Sequence, residues 1–151
     1  NPNEKIIIKT KMKKNEFIPL GNLLNSKKIK NVSIKEFGNV ASLIKDSKAV
    51  IGFQSSALIE SLILKKPIIV PYFNVNNSEK FRKCTLNLND CSYYAYDENS
   101  MKNYLNDICS NKIGFPNIDD EKRKNIIKHY IGNNDGQSSN RLLDALNKIL
   151  N

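Results

Sequence analysis

The stretch Val50–Phe73, VIGFQSSALIESLILKKPIIVPYF, decides how this chain folds. Its first part, completed by Ala49 as AVIGFQ (Ala49–Gln54), is a short run with apolar residues on both faces. A strand buried on both faces implies a parallel sheet. The last part, PIIVPYF, reads as a second strand of that sheet, and the segment from Ser55 to about Lys66 reads as a helix. Strand, helix and strand in so short a span make a βαβ unit, whose crossover is right-handed almost by necessity.

Working outward, EKIIIKTK (Glu4–Lys11) is an apolar run with Lys at its exit and predicts a buried strand. KMKKNEFIPLGNLLNSKK is polar and punctuated, so a loop with one helical turn is expected. NVSIKEF alternates as a strand does, and NVASLIKDSK follows as a short amphipathic helix. Beyond Phe73, NVNNSEKFRKCTLNLNDC is polar, with a single helical turn, and SYYAYD reads as a fifth strand. NSMKNYLNDICSN puts Met101, Tyr104, Leu105 and Ile108 on one helical face, with Ser100 as its expected N-cap. IDDEKRKNIIKHYIG is acidic at its start and basic later, as the helix dipole prefers. NNDGQSSNRLLDALNKIL is a turn feeding a last helix with Leu142, Leu143, Leu146, Ile149 and Leu150 on one side. Strands alternating with helices predict an open α/β sheet of about five strands in a single domain, 1–151.

Composition narrows the function classes. Of 151 residues, 40% are hydrophobic and 26% charged, ordinary values for a globular protein with a real core. No run reaches the roughly 18 apolar residues that span a bilayer, and no signal-peptide pattern is present. The first residue is Asn, and the chain reads as a piece of a longer protein. Net charge is +9, nearly all from Lys; the arginines are Arg82, Arg123 and Arg141. Lys, Asn and Ile are together abundant, as an AT-rich genome supplies, so a solvated Lys-rich surface accounts for much of this charge. An anionic ligand or a membrane surface is the functional alternative. Nucleic acid is disfavoured, because no helix-turn-helix, zinc-finger or aromatic RNA-binding signature occurs and Arg is scarce. Cys84, Cys91 and Cys109 are too widely spaced for a metal knuckle and odd in number, which fits free thiols in a reducing compartment. His129 has no ligand partners at metal spacing, so no metal is expected, and a Cys–His catalytic pair has no supporting motif.

The candidate site is the start of the helix after AVIGFQ. Leu58, Ile59, Leu62 and Ile63 make a broad apolar face, extended by Ala57 and Leu64. Ser56 and Glu60 are one turn apart and share a face. A helix start after a parallel strand offers unpaired N–H groups and positive potential to a phosphate. Ser55 and Ser56 add hydroxyl donors, and a carboxylate one turn on can accept from both hydroxyls of a ribose, as the acidic residue of dinucleotide folds does. The plainer alternative makes Ser a cap and Glu60 a surface charge. Glu60 is not spaced for a capping box with either serine.

AVIGFQSSALIESLILKKPIIVPYF resembles the donor-binding half of GT-B glycosyltransferases: strand, Ser-rich turn, helix with a glutamate, a Lys–Pro step, then a strand ending near Pro. It is most similar in character to bacterial surface-polysaccharide enzymes, namely capsule transferases, CDP-glycerol glycerophosphotransferases and relatives of UDP-GlcNAc 2-epimerase. NNDGQSSNRLLDAL resembles their closing Asp–Gly…Ser…Arg stretch, and KIIIKTK a lysine-bearing strand in which Lys9 takes the lysine position. The family often carries a His shortly after that lysine, where this chain has Thr10 and Lys11.

The resemblance implies a Rossmann-like three-layer sandwich with a mainly parallel sheet, lacking the first strand of the complete domain, which would lie upstream. An exposed apolar face is then expected near Ile6, Ile8 and the fourth strand. It further implies that Ser55 and Ser56 contact donor phosphate, that Glu60 holds the ribose, and that Lys9 or Lys11 neutralises leaving-group charge. Gln54 would line the same mouth. Asp135–Gly136 reads first as a turn, with Gly136 left-handed and Ser138 or Ser139 capping the last helix. Arg141 sits at the positive end of that helix, where a cation needs a partner, and is a further candidate for phosphate. The donor would be a UDP-, CDP- or CMP-linked sugar or alditol, with no cofactor, and the acceptor domain would lie N-terminal to this chain. The enzyme would work in the cytoplasm or at the inner face of the membrane. An epimerase-like reaction, or a non-catalytic basic module binding an anionic partner, are the alternatives.

Overall fold

A computed structural model describes residues 4–10, 14–73 and 85–150. In chain order the elements are β1 (Ile6–Lys9), α1 (Lys14–Ser26), β2 (Val32–Lys35), α2 (Val40–Asp46), β3 (Val50–Ile51), α3 (Ala57–Ile63) and β4 (Ile68–Pro71). A 3-10 turn (Asn89–Cys91), β5 (Tyr93–Ala95), α4 (Glu98–Cys109), α5 (Asp120–Ile131) and α6 (Ser138–Leu150) complete them. The fold is α/β, and every strand pairing among the described residues is parallel.

The strands form two sheets, β1–β2 and β3–β4–β5. Ile6 lies opposite Val32 in the first, while Val50 faces Ile68 and Ile69 faces Tyr93 in the second. An ion pair of 2.6 Å between Glu4 and Lys48 links the residues that lead into β1 and β3. Among the described residues, one side of β1 and one side of β3 carry no neighbouring strand.

Burial is concentrated on β4. Ile68 and Val70 pack with Leu58 and Leu62 of α3 and Ile126 and Ile127 of α5, whereas Ile69 turns the other way, onto Ala95 and Ile108. Met101, Tyr104 and Leu105 of α4 complete that second layer. The strand period of two thus delivers alternate side chains to opposite helical layers, which is a helix–sheet–helix sandwich. Gly52 lets α3 sit close: a Cβ there would meet Leu58 Cδ2 at 3.3 Å.

Five expectations are corrected. AVIGFQ is not a strand buried on both faces: β3 is Val50–Ile51 only, with Ile51 44% and Phe53 38% exposed, because β3 is an edge strand without a neighbour on one side among the described residues. β1 is not buried: Ile6 is 46% and Ile7 38% exposed. β4 is not an exposed strand; Ile68, Ile69 and Val70 are all at 0%, because helices cover both of its faces. The 14–26 segment is a helix and not a loop, with Pro19 inside it and α1 in contact with β2. Proline punctuation misleads there, because a single missing N–H costs one ladder bond and the remaining turns still form. The cap of α4 is Asp97, one turn before Ser100: its carboxylate accepts from Ser100 N at 2.6 Å while Ser100 Oγ accepts from Asp97 N at 3.2 Å, a reciprocal capping box. The polar segment after Phe73 shows one 3-10 turn at Asn89–Cys91, and its 74–84 portion lies outside the described residues.

Candidate functional site at the start of α3

The backbone turns sharply after β3. Gly52 N still donates to Ile69 O of the sheet, and by Ser56 the chain is already helical (φ −55°, ψ −23°). α3 proper begins at Ala57, later than the sequence suggests, and ends at Ile63. Ser55 O accepts from Leu58 N, and Ser56 O accepts from Ile59 N and Glu60 N, so the first turn closes on itself. Ser55 Oγ accepts from Ala57 N at 3.3 Å; the Ser56 hydroxyl caps nothing. Two N–H groups, those of Ser55 and Ser56, have no acceptor among the described residues. They stand beside two exposed hydroxyls at the carboxyl end of a parallel strand, the edge where open α/β sheets bind ligands.

The wheel of α3 sorts as expected, with one exception. Leu58, Ile59 and Leu62 are buried, but Ser61 joins them at 0% and Ile63 is 39% exposed. Ser61 is tolerated in the core because its hydroxyl donates to Ala57 O at 2.7 Å, leaving no orphaned polar atom. Ser56 and Glu60 lie on the outward side, flanked by Ile63 and by Leu64 at 40% exposure. Glu60 is half-buried, and among the described residues its carboxylate has no hydrogen-bond or ion-pair partner. Ser56 and Glu60, one turn apart, therefore share an outward face and have no side-chain partner among the described residues, while Ser55 is exposed just before the helix with its hydroxyl accepting from Ala57 N. Gln54 is exposed at the same strand end.

Lys9 is placed at the carboxyl end of β1 but is not idle. Its ammonium donates to Thr10 O at 2.7 Å and Glu36 O at 2.8 Å, which folds it back over the ends of β1 and β2. Lys11 lies outside the described residues. Arg141 finds its partner locally: Nη1 donates to Asp135 Oδ2 at 2.9 Å and Nη2 to Ser138 Oγ at 3.3 Å. That pairing answers the cation at the positive helix end, and among the described residues nothing links Arg141 to Ser55–Glu60. Asp135 also accepts from Gln137 N, and its pKa falls from 3.8 to about 2, the Arg141 hydrogen bond being the largest cause and the Gln137 N–H the next. Asp135, not a serine, thus organises the turn, while Gly136 takes the left-handed φ of +73° expected of it.

Cys91 and His129, which have no motif in common, line the same cavity between the 3-10 turn and α5. Sequence spacing gives no sign of this, since the contact is made across the fold. The Cys91 thiol is 1% exposed, and burial pushes its pKa up, so the thiolate needed of a nucleophile is disfavoured. Among the described residues no group of His, Cys, Asp and Glu is assembled to hold a metal, and no helix is long and apolar enough to cross a membrane. Compared with known protein families, curated proteins and solved structures, the chain matches none.

Proposed function

We propose that this chain is the nucleotide-sugar or CDP-alditol binding half of a GT-B glycosyltransferase of cell-surface polysaccharide synthesis. The observation that carries the reading is the set at the start of α3: the Ser55 and Ser56 N–H groups and the Glu60 carboxylate one turn on, all without a partner among the described residues, beside the exposed hydroxyls of Ser55 and Ser56. The diphosphate of the donor takes the N–H and hydroxyl donors, and Glu60 accepts from the ribose diol. Departure of a nucleoside phosphate builds negative charge, which these donors and the positive field of a +9 chain offset; Lys9 adds to that field from the end of β1. The acceptor and the catalytic base come from a second, N-terminal half, so this half alone does not turn over. Donor supply places the enzyme in the cytoplasm at the inner membrane face, where the Lys-rich surface meets anionic lipid.

The resemblance of the Val50–Phe73 block and of the Asp135–Arg141 stretch supports the same reading, since both occur in the family's order. A second reading is favoured by charge alone: a basic module that binds an anionic partner without catalysis. Calorimetric titration with UDP, CDP, CMP and GDP separates the two. A donor half binds one nucleotide in preference, and Ser56→Ala and Glu60→Ala each weaken it by about 1–3 kcal/mol, the cost of stranding a polar partner. Equal binding of every polyanion with a steep salt dependence sinks the donor reading and supports the basic module.

A further inference from the structure

We propose that the groove between the Asn87–Cys91 segment and α5 is a second binding site, shaped for an uncharged saccharide unit. None of its residues belongs to the site at the start of α3, so the inference stands whether or not a nucleotide binds there. The cavity measures about 670 Å³, within the roughly 300–1,000 Å³ of small-molecule sites. Its apolar side is made by Ile118 and the buried Ile126. Its polar side carries Asn89, Asp90, Asn125 and His129, whose side chains have no hydrogen-bond or ion-pair partner among the described residues.

One wall is fixed before any ligand arrives. Tyr130 Oη accepts from Asn87 N at 2.8 Å and donates to Asn87 O at 3.3 Å, clamping the segment to the end of α5. Asn87 Oδ1 accepts from Asn89 N at 3.2 Å, and Leu88, fully buried, donates its N–H to Tyr94 Oη at 3.1 Å. Asn89 is held with φ at +45°, a left-handed conformation that Asn tolerates. Such pre-ordering lowers the entropy lost on binding.

The ligand class follows from charge and hydrogen-bonding type. The chain carries +9, yet this groove holds one carboxylate, Asp90, against one ammonium, Lys122. An anion would meet no surplus of cations here. Side-chain amides offer a donor and an acceptor each, and the carboxylate accepts only. Together they match vicinal hydroxyls, which both give and take. The isoleucine side suits the C–H face of a pyranose ring, whose burial supplies the apolar part of the affinity. Cys91, buried and with its pKa raised, contributes shape and no covalent chemistry.

The test is a nitrogen-15 NMR titration of the chain with glucose, galactose, N-acetylglucosamine and cellobiose, with glucuronate in parallel. At least one neutral sugar is expected to give saturable shifts confined to residues 87–91 and 118–130, unchanged as salt is raised to screen charges. Asn125→Ala and Asp90→Ala, both at exposed positions, should each weaken it about tenfold, as loss of one hydrogen-bonding group does. The proposal is overturned if none of the four sugars gives a saturable shift in a chain with a well-dispersed spectrum. It is equally overturned if the shifts lie elsewhere, or if glucuronate binds better and salt removes it.

Discussion

IIIK in β1 and IIVP in β4 are nearly the same peptide, yet they end in opposite surroundings. In β4 the three aliphatic residues have no exposure; in β1, Ile6 and Ile7 keep 46% and 38%. The difference lies in the neighbours. β4 has a strand on each side, with α3 and α5 over one face and α4 over the other. β1 has a single partner, β2, and β2 has α1 beside it. A hydrophobic run states that a segment is able to be buried; coverage decides whether it is.

That contrast can be broken by mutation. Ile69→Ala and Leu62→Ala empty space in a closed core and should each cost about 2–5 kcal/mol in urea unfolding. Ile7→Ala, the same chemistry on the open sheet, should cost about 1 kcal/mol or less. Equal losses at Ile69 and Ile7 would mean that β1 is covered in solution as well as β4 is. Gly52→Ala tests the closeness of the β3–α3 contact. A methyl 3.3 Å from Leu58 Cδ2 is mild overpacking, and a cost of about 1 kcal/mol is expected from the same unfolding curves. No loss would show that Leu58 has room to swing away.

The smallest effect concerns the turn into α6. Asp135 has its pKa depressed to about 2 in the fold from 3.8, so its pairing with Arg141 is intact above pH 4 and is lost as pH falls through 2. Carbon-13 titration of the Asp135 carboxyl should show that low midpoint, and Arg141→Ala should return it towards 3.8. An unshifted midpoint in the parent chain would remove the ion pair as the organiser of the turn.

Much of the fold is legible in the residues. Val50–Phe73 announces a parallel βαβ unit, and the pairing is parallel, although β3 is short and Ile51 stays 44% exposed. Asp119 and Asp120 at the start of α5, with Lys128 and His129 in its last turn, read correctly from the dipole. The candidate site is only partly legible. Ser56 and Glu60 do lie one turn apart on the outward side of α3, whereas Arg141 is taken by Asp135 and Lys9 by two carbonyls. The groove around Asn125 is hidden in the sequence, because Asn87 and Tyr130, 43 positions apart, meet only once the chain between them is folded.

The sequence by itself determined the α/β class and the order of strands and helices from Val50 onward. Those properties depend on local periodicity, near 3.6 for helices and 2 for strands. Only the tertiary structure decided that β4 is sealed and β1 left open, that Ser61 joins the core in place of Ile63, and that Cys91 and His129 border one cavity. The physical reason is that burial and proximity belong to pairs of distant segments. A face can be read from one segment, but its cover cannot.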